Sequence, residues 1–137
     1  MTGVSGVVSS QNSLVGSTQS EALGRRISSG GLRVVPLPNG DYVVIDDTTS
    51  TTSVVQAGSV THGDGLIGTT GVITSANSLL GTTTEDFVGQ GGITILANGN
   101  YVVLSPDWDN QSVIDAGALT LVDGDTGLTG TVNETNS

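Results

Sequence analysis

The amino-acid sequence repeats itself, so any fold for this chain has to accommodate the same pattern twice. Gly6-Val7-Val8-Ser9-Ser10-Gln11-Asn12-Ser13-Leu14-Val15-Gly16 aligns with Gly71-Val72-Ile73-Thr74-Ser75-Ala76-Asn77-Ser78-Leu79-Leu80-Gly81 at an offset of 65 residues. Farther along, Asn39-Gly40-Asp41-Tyr42-Val43-Val44-Ile45 aligns with Asn98-Gly99-Asn100-Tyr101-Val102-Val103-Leu104 at an offset of 59. Ala57-Gly58-Ser59-Val60-Thr61 matches Ala116-Gly117-Ala118-Leu119-Thr120 at the same 59. Gly68, Gly71, Asn77 and Ser78 recur as Gly127, Gly130, Asn136 and Ser137, so the final segment reopens the unit. The chain therefore reads as a partial repeat over residues 1–16, a first repeat over 17–81, and a second repeat over 82–137 that includes the start of a third unit. The change of offset places two local insertions in the first copy, at Arg25-Arg26-Ile27-Ser28 and around Pro36 to Pro38. All three basic residues, Arg25, Arg26 and Arg33, fall in or just after the first of these, as a solvated loop or as a local specialisation.

Within a copy the local signals are those of strands. Gly92-Ile93-Thr94-Ile95-Leu96 and Tyr101-Val102-Val103-Leu104 flank Ala97-Asn98-Gly99-Asn100, and Asn-Gly between β-prone runs is the strongest short hairpin signal. Pro38-Asn39-Gly40-Asp41 repeats it in the first copy. Ala116 to Val122 reads as a third strand and Gly71-Val72-Ile73-Thr74-Ser75 as a fourth. Ser20-Glu21-Ala22-Leu23 and Thr84-Glu85-Asp86-Phe87-Val88 have room for a single helical turn before Gly24 and Gly89 stop them. The expectation is an all-β fold of antiparallel four-stranded repeat units, of the β-propeller-blade type. A parallel β-solenoid is the alternative, against which the two Asn-Gly hairpins count.

Composition narrows the function classes. With 13 acidic and 3 basic residues the net charge is −10, which opposes nucleic-acid binding. The absence of Cys removes disulfides, thiolate metal sites and cysteine nucleophiles. No run approaches the roughly 18 apolar residues of a spanning helix. Met1-Thr2-Gly3-Val4 lacks the basic segment and apolar run of an export signal, so an extracellular protein would need its signal elsewhere.

The stretch Asn98-Gly99-Asn100-Tyr101-Val102-Val103-Leu104-Ser105-Pro106-Asp107-Trp108-Asp109-Asn110, followed by Asp115-Ala116-Gly117-Ala118-Leu119-Thr120, resembles tandem repeats of large bacterial secreted proteins of the filamentous-haemagglutinin-like, adhesin-like kind. The likeness weakens in the first copy, where Asp46-Asp47-Thr48-Thr49 replaces Ser105-Pro106-Asp107-Trp108. The order of buried strand, acidic loop and Ala-Gly-Ala-like strand is also distantly similar to the FG-GAP blades of integrin α-subunits. These resemblances imply a propeller in an extracellular or cell-surface, adhesive setting, and name no ligand. A propeller needs four to eight blades, so two copies call either for a homo-oligomeric ring or filament, or for a place within a longer repeat protein. The duplicated end segments are suited to strand exchange, with Val7, Val8, Leu14, Val15 and Val132 as the assembly residues.

Candidate chemistry is sparse. Gly63-Asp64-Gly65-Leu66-Ile67-Gly68 matches the Gly-x-Gly-x-x-Gly dinucleotide pattern, but Thr69-Thr70-Gly71-Val72-Ile73-Thr74 continues as strand where a helix should begin. His62 is the sole imidazole, and Leu121 stands at its place in the second copy. Without a nucleophile-elbow sequence or a second His it supports neither a catalytic triad nor a zinc site, and no enzyme is expected. Asp107, Asp109 and Asn110, with Asp115 nearby, gather oxygen ligands of the kind Ca²⁺ takes, and Asp123 with Asp125 makes a second such group. Polar turns capped by Asp side chains are the competing reading. No other cofactor is indicated. Trp108, between two Asp residues, is suited to stacking on a glycan or anchoring a cell-surface protein together with Asp107, Asp109 and Asn110, or to filling the gap between blades. Asn110-Gln111-Ser112 and Asn133-Glu134-Thr135 fit the N-glycosylation acceptor pattern.

Overall fold

Valine- and isoleucine-rich runs bounded by glycine and Asn-Gly turns favour extended backbone and tight reversals, and the chain folds accordingly. A computed structural model describes the backbone of residues 5–18, 23, 26–27 and 30–137. Twelve strands occur among the described residues: β1 Leu14–Val15, β2 Arg26–Ile27, β3 Gly30–Gly31, β4 Arg33–Pro36, β5 Tyr42–Asp46, β6 Ser59–Gly63, β7 Gly71–Val72, β8 Leu79–Leu80, β9 Gly92–Ile95, β10 Tyr101–Ser105, β11 Ala118–Val122 and β12 Gly130–Thr131.

Each copy is built on the same antiparallel three-stranded meander, β4-β5-β6 in the first and β9-β10-β11 in the second. Equivalent residues pair in equivalent register: Val35↔Val43 and Val43↔His62 in one, Thr94↔Val102 and Val102↔Leu121 in the other. The Asn-Gly turns close both hairpins as expected. Gly40 N–H donates to Leu37 O at 3.1 Å and Gly99 N–H to Leu96 O at 3.0 Å, with φ of 99° and 91° at the two glycines. Asn39 and Asn98 keep negative φ, so each reversal is an ordinary turn followed by a left-handed glycine, and Pro38 suits its first central position.

Outside the meanders the strands pair differently from the sequence expectation. The fourth strand, read over Gly71 to Ser75, is extended only at β7 and runs parallel to β1, Leu14↔Gly71 and Val15↔Val72. The strand that adds to β6 in antiparallel fashion is β8, through Ser59↔Leu80 and Val60↔Leu79. Parallel to β8 lies β12, Leu79↔Gly130 and Leu80↔Thr131, giving a mixed sheet in the order β12-β8-β6-β5-β4. The ladders β1-β7 and β8-β12 are the same repeat-to-repeat contact made twice. No closed barrel or propeller ring is formed by the described residues.

Two further expectations need correcting. The sequence offers a helical turn at Thr84 to Val88, but Glu85 and Phe87 adopt φ of 68° and 42° and the segment is an irregular loop. The other candidate, Ser20 to Leu23, lies outside the described residues except for Leu23. The first copy also has one insertion and not two. Arg33–Pro36 and Gly92–Ile95 pair with equivalent partners at a constant offset of 59, so Pro36 to Pro38 is matched residue for residue by Ile95 to Ala97. The whole difference lies upstream of Arg33, where β2 and β3 form a small antiparallel hairpin, Arg26↔Gly31 and Ile27↔Gly30.

One structural signature occurs three times. Thr74 N–H donates to Asn77 Oδ1 at 2.9 Å while Asn77 Nδ2 donates to Val72 O at 3.0 Å, pinning a corner between β7 and β8. Ser9 and Asn12 make the same pair of bonds with Val7, and Asn133 and Asn136 make it with Thr131. A single hydrophobic cluster spans both copies, including Val43, Ile45, Val60, Leu79 and Val88 with Tyr101, Val103, Trp108, Val122 and Val132.

Candidate functional site

The alternation of side chains along a strand decides which face of each meander is covered. In the second copy Tyr101, Val103 and Ser105 are buried and pack toward the first copy, while Val102 and Leu104 on the other face are half-buried. The first-copy counterparts of that outer face, Val43 and Ile45, are fully buried. Every residue of β5 after Tyr42 is buried, whereas β10 and β11 alternate.

What buries the first copy is the segment at residues 79–89, which runs from the end of the first repeat into the second. It lies along the edge of β6 and over the loop before it: Glu85, Phe87 and Val88 donate their amides to the carbonyls of Val55, Gln56 and Ala57 at 3.0–3.1 Å. Gly58 and Val88 form a parallel bridge so close that a β-carbon on Gly58 would overlap the Val88 amide nitrogen. Gly81 sits against the Ala57 carbonyl and Gly89 against the methyl groups of Ile45 and Val60, again with no room for a side chain. Buried Asp86 holds the segment in shape, accepting the amides of Thr82 and Thr83, the Thr83 hydroxyl, and the Asp109 amide at 3.0 Å. Arg33 clamps its end, donating to Gly89 O at 2.8 Å and Gln90 O at 2.9 Å, with Asp47 3.9 Å away. Gly92 occupies the equivalent place in the second copy, so this clamp has no counterpart there. Arg26 belongs to the β2-β3 hairpin and Arg25 lies outside the described residues.

The counterparts of these covered residues in the second copy are exposed, although Thr120 bonds Ser137 at 2.6 Å as Thr61 bonds Ser78. Leu119, the counterpart of Val60, is 65% exposed against 2%. Ala116, the counterpart of fully buried Ala57, is exposed, and Leu121 is 57% exposed. No backbone amide among the described residues donates to the carbonyls of Ile114, Asp115 or Ala116. A shallow apolar groove of about 380 Å³ runs between Gly91, Leu104 and Pro106 on one side and Ala116 to Leu119 on the other. The sequence reading passed over these residues. The available signal was the pair of leucines at the outward positions of Ala118-Leu119-Thr120-Leu121-Val122, which becomes informative once the matching edge of β6 is known to be covered.

The residues singled out for assembly fall at the repeat-to-repeat ladders. Leu14 and Val15 form β1, and Val132 is buried just after β12, its amide donating to Leu80 O at 3.0 Å. Val7 and Val8 are 88% and 74% exposed, although the counterparts of Val8, Ile73 and Val132, are both buried.

The acidic candidates separate into two groups at opposite ends of the second meander: Asp107, Asp109 and Asp115 beyond Ser105, and Asp123 and Asp125 beyond Val122. Asp109 Oδ1 accepts the Asp115 amide at 2.8 Å. Asp123 Oδ1 accepts the amides of Asp125 and Thr126 at 2.9 and 3.0 Å, which hold its carboxyl below the usual carboxylate range. Asp64 does the same with Ile67 and Leu66, to the same effect. The glycine-rich run at 63–68 is thus a capped turn, matched at 122–127. Among the described residues no three His, Cys, Asp or Glu side chains converge on a metal. His62 lies 3.4 Å from Asp41, with neither ring nitrogen hydrogen-bonded.

Trp108 lies in the core and not in an exposed loop. It is 6% exposed, belongs to the core, and takes the place of fully buried Thr49. Its Nε1 has no hydrogen-bond partner. Beside it lies a cleft of about 440 Å³ bordered by Thr83, Asp109, Asn110, Asn133 and Glu134, with Asn110 donating to Glu134 at 2.8 Å. Asp107 does not line this cleft.

An all-β chain whose equivalent residues make equivalent ladders from one copy to the next is a tandem-repeat protein. It belongs to the family described as a repeat of unknown function (DUF5650), which matches residues 1–25, 36–90 and 95–137. The residues passed over after 25 include the β2-β3 hairpin. Comparison with curated proteins and with solved structures returns no match.

Proposed function

We propose that the chain is a non-enzymatic structural and adhesive repeat module, working outside the cell or at its surface, that self-associates by strand exchange or blade completion into a ring or filament. The observation that carries this reading is the repeat-to-repeat ladder made twice, β1 with β7 and β8 with β12, in which the same end segment pairs with its equivalent in the next unit. The order β8-β6-β5-β4, antiparallel throughout, supports a four-stranded blade as the repeating element. The resemblance to adhesin-like repeats supports the extracellular setting. No helix among the described residues is long and apolar enough to cross a membrane. Absolute mass by light scattering, across concentrations and with and without Ca²⁺, tests the proposal. A discrete multiple of 13.7 kDa supports a ring, open-ended growth supports a filament, and a monomer at every concentration overturns it.

A second reading, a lectin-like or Ca²⁺-dependent binding module, is favoured by the cleft beside Trp108 with its unpartnered indole N–H. Glycan-array binding that is lost in Trp108→Phe, which keeps the packing and removes the donor, would support it; absence of binding with and without Ca²⁺ would end it.

A further inference from the structure

We infer that Asn39-Gly40 is a site of spontaneous side-chain amide hydrolysis, held in check by a contact between the two copies and able to break that contact once converted. Both partners of the contact lie within the described residues: the Asn-Gly turn of the first meander and the capped loop at residues 122–127 of the second. Across it, Asn39 Nδ2 donates to Gly124 O at 3.0 Å and to Asp125 Oδ1 at 2.9 Å; within its own turn it meets Asp41 Oδ2 at 3.0 Å. Asn39 Oδ1 accepts the Asp41 amide, also at 3.0 Å. Beside them the loop passes so close to β6 that a β-carbon on Gly127 would run into the His62 side chain. One primary amide is thus held at both its atoms and ties the first copy to the second.

The dipeptide carries its own nucleophile. The Gly40 backbone nitrogen, giving up its proton to hydroxide, attacks Asn39 Cγ; the bond from Cγ to Nδ2 breaks, ammonia leaves, and a succinimide ring closes over the two residues. Water then adds to one or other carbonyl of the ring and opens it to an aspartyl or an isoaspartyl residue. Glycine leaves the attacking nitrogen unshielded, and nothing lies within 4 Å of the place where a β-carbon on Gly40 would stand. What opposes closure is the hydrogen bonding. The Gly40 amide is engaged with Leu37 O at 3.1 Å, and Cγ cannot turn onto it while Oδ1 is held by Asp41 and Nδ2 by the second copy. Closure therefore waits on local opening, and its rate reports how often the contact opens.

Conversion exchanges a donor for a charge. A carboxylate at position 39 stands among Asp41 Oδ2, Asp125 Oδ1 and Gly124 O, acceptors that have no hydrogen to offer it, and two of them are themselves charged. The isoaspartyl product also adds a carbon to the main chain of a turn closed by the bond from Gly40 to Leu37. Either product releases the loop at 122–127 from the first meander. Asn98-Gly99 repeats the reactive step in the second copy, with the Gly99 amide on Leu96 O at 3.0 Å and Asn98 Oδ1 accepting the Asn100 amide at 3.2 Å. Among the described residues Asn98 Nδ2 meets no acceptor, so this turn is an internal clock that lacks the clamp.

Incubation at mildly alkaline pH, followed by peptide mapping that separates the amide, aspartyl and isoaspartyl forms, times both sites in one molecule. In the folded chain Asn98 is expected to convert on the order of tenfold faster than Asn39, the factor that the bonds across the contact supply, and in denaturing urea the two rates should converge. Asp125→Ala, which removes an acceptor in the second copy, should speed conversion at Asn39 and leave Asn98 unchanged. Asn39→Asp should lower the urea midpoint more than Asn98→Asp, because Asp-Gly serves such a turn as well as Asn-Gly, and added salt should recover part of the difference. These readouts are taken on the dilute chain and do not depend on self-association. Equal rates at the two sites of the folded chain, or an Asp125→Ala chain in which Asn39 is no faster, overturn the clamp. A folded chain in which neither site converts while the unfolded chain converts both puts the protection in the hairpins and overturns it equally. Asn39→Asp and Asn98→Asp chains of equal stability overturn the claim that conversion breaks the contact.

Discussion

The edges of β6 and β11 come from equivalent sequence and meet opposite conditions. β6 has Leu79–Leu80 paired along it and residues 79–89 laid over its approach loop; on β11 the outward Leu119 and Leu121 are exposed. The difference teaches which residues belong to the repeat as a self-contained element and which belong to the joint. The meander, its Asn-Gly turn and the capped glycine-rich loop form in both copies. Burial of Ile45, Ala57 and Val60 exists only where the next copy supplies its covering segment, as expected for repeats whose stability is a sum of unit and interface terms.

Glycine at the joint gives the sharpest separation. Gly58 and Gly117 share left-handed φ, 74° and 72°, but only Gly58 lies against another segment; at Gly117 the nearest neighbour of an added β-carbon is the Pro106 carbonyl oxygen at 3.2 Å. Gly58→Ala is therefore expected to lower stability by more than about 3 kcal/mol or prevent folding, and Gly117→Ala by only about 1–2 kcal/mol from backbone strain. Urea denaturation at a concentration where the chain is monomeric compares them. Equal losses would mean that Gly58 matters for its φ alone and that the close approach of Val88 contributes nothing.

Val60 and Leu119 repeat the test without backbone strain. Val60→Ala removes buried methyl groups from the shared core and is expected to cost about 2 kcal/mol, whereas Leu119→Ala in the monomer should cost less than about 0.5 kcal/mol. A costly Leu119→Ala at high dilution would show that β11 is covered by its own chain in solution.

Much of the fold was legible in the residues. Offsets of 65 and 59, the Asn-Gly hairpins and the alternation in Tyr101-Val102-Val103-Leu104 identify the hairpins of the two meanders, because turn chemistry and side-chain period are local properties. The joint was not, since Leu79-Leu80 reads simply as the end of a strand. That it pairs β6 on one edge and β12 on the other depends on chain segments far apart in sequence. Trp108 shows the same limit: the sequence leaves it either stacked on a ligand or packed between blades, and only the fold shows Asp109 turned to cap the Asp115 amide while the indole enters the core. The phantom insertion at Pro36 arose because two prolines made the turn look longer than Ile95-Leu96-Ala97, when proline merely suits the same reversal.

The three asparagine corners grade the comparison further, because identical hydrogen bonds sit in progressively different burial. Asn77 pins a corner between buried Ile73 and buried Ser78, whose hydroxyl bonds Thr61 at 2.6 Å; Asn12 pins one beside exposed Val7 and Val8. Asn77→Ala should cost about 1–1.5 kcal/mol and Asn12→Ala no more than about 0.5 kcal/mol, since water replaces lost bonds at an exposed corner. Matching losses would show that the first corner is held as firmly as the second, and hence that Val8 is covered.

The smallest effects should come from the opposite end of the meanders, away from residues 79–89. Asp64 and Asp123 are both solvent-exposed carboxylates held below their ordinary range by backbone amides, so each adds stability that is complete above the unfolded value of 3.8 and fades as pH falls through the lower folded value. Asp64→Asn and Asp123→Asn should each shift the urea midpoint slightly at pH 7 and lose that difference from the parent in strong acid. The two shifts should also match, because neither loop takes part in the covered joint. Asn39 of the first copy does reach the second loop, donating to Gly124 O at 3.0 Å and to Asp125 at 2.9 Å. A distinctly larger effect of Asp123→Asn would therefore show that this second contact between the copies adds to stability, and would make the difference between β6 and β11 only part of what joins one repeat to the next.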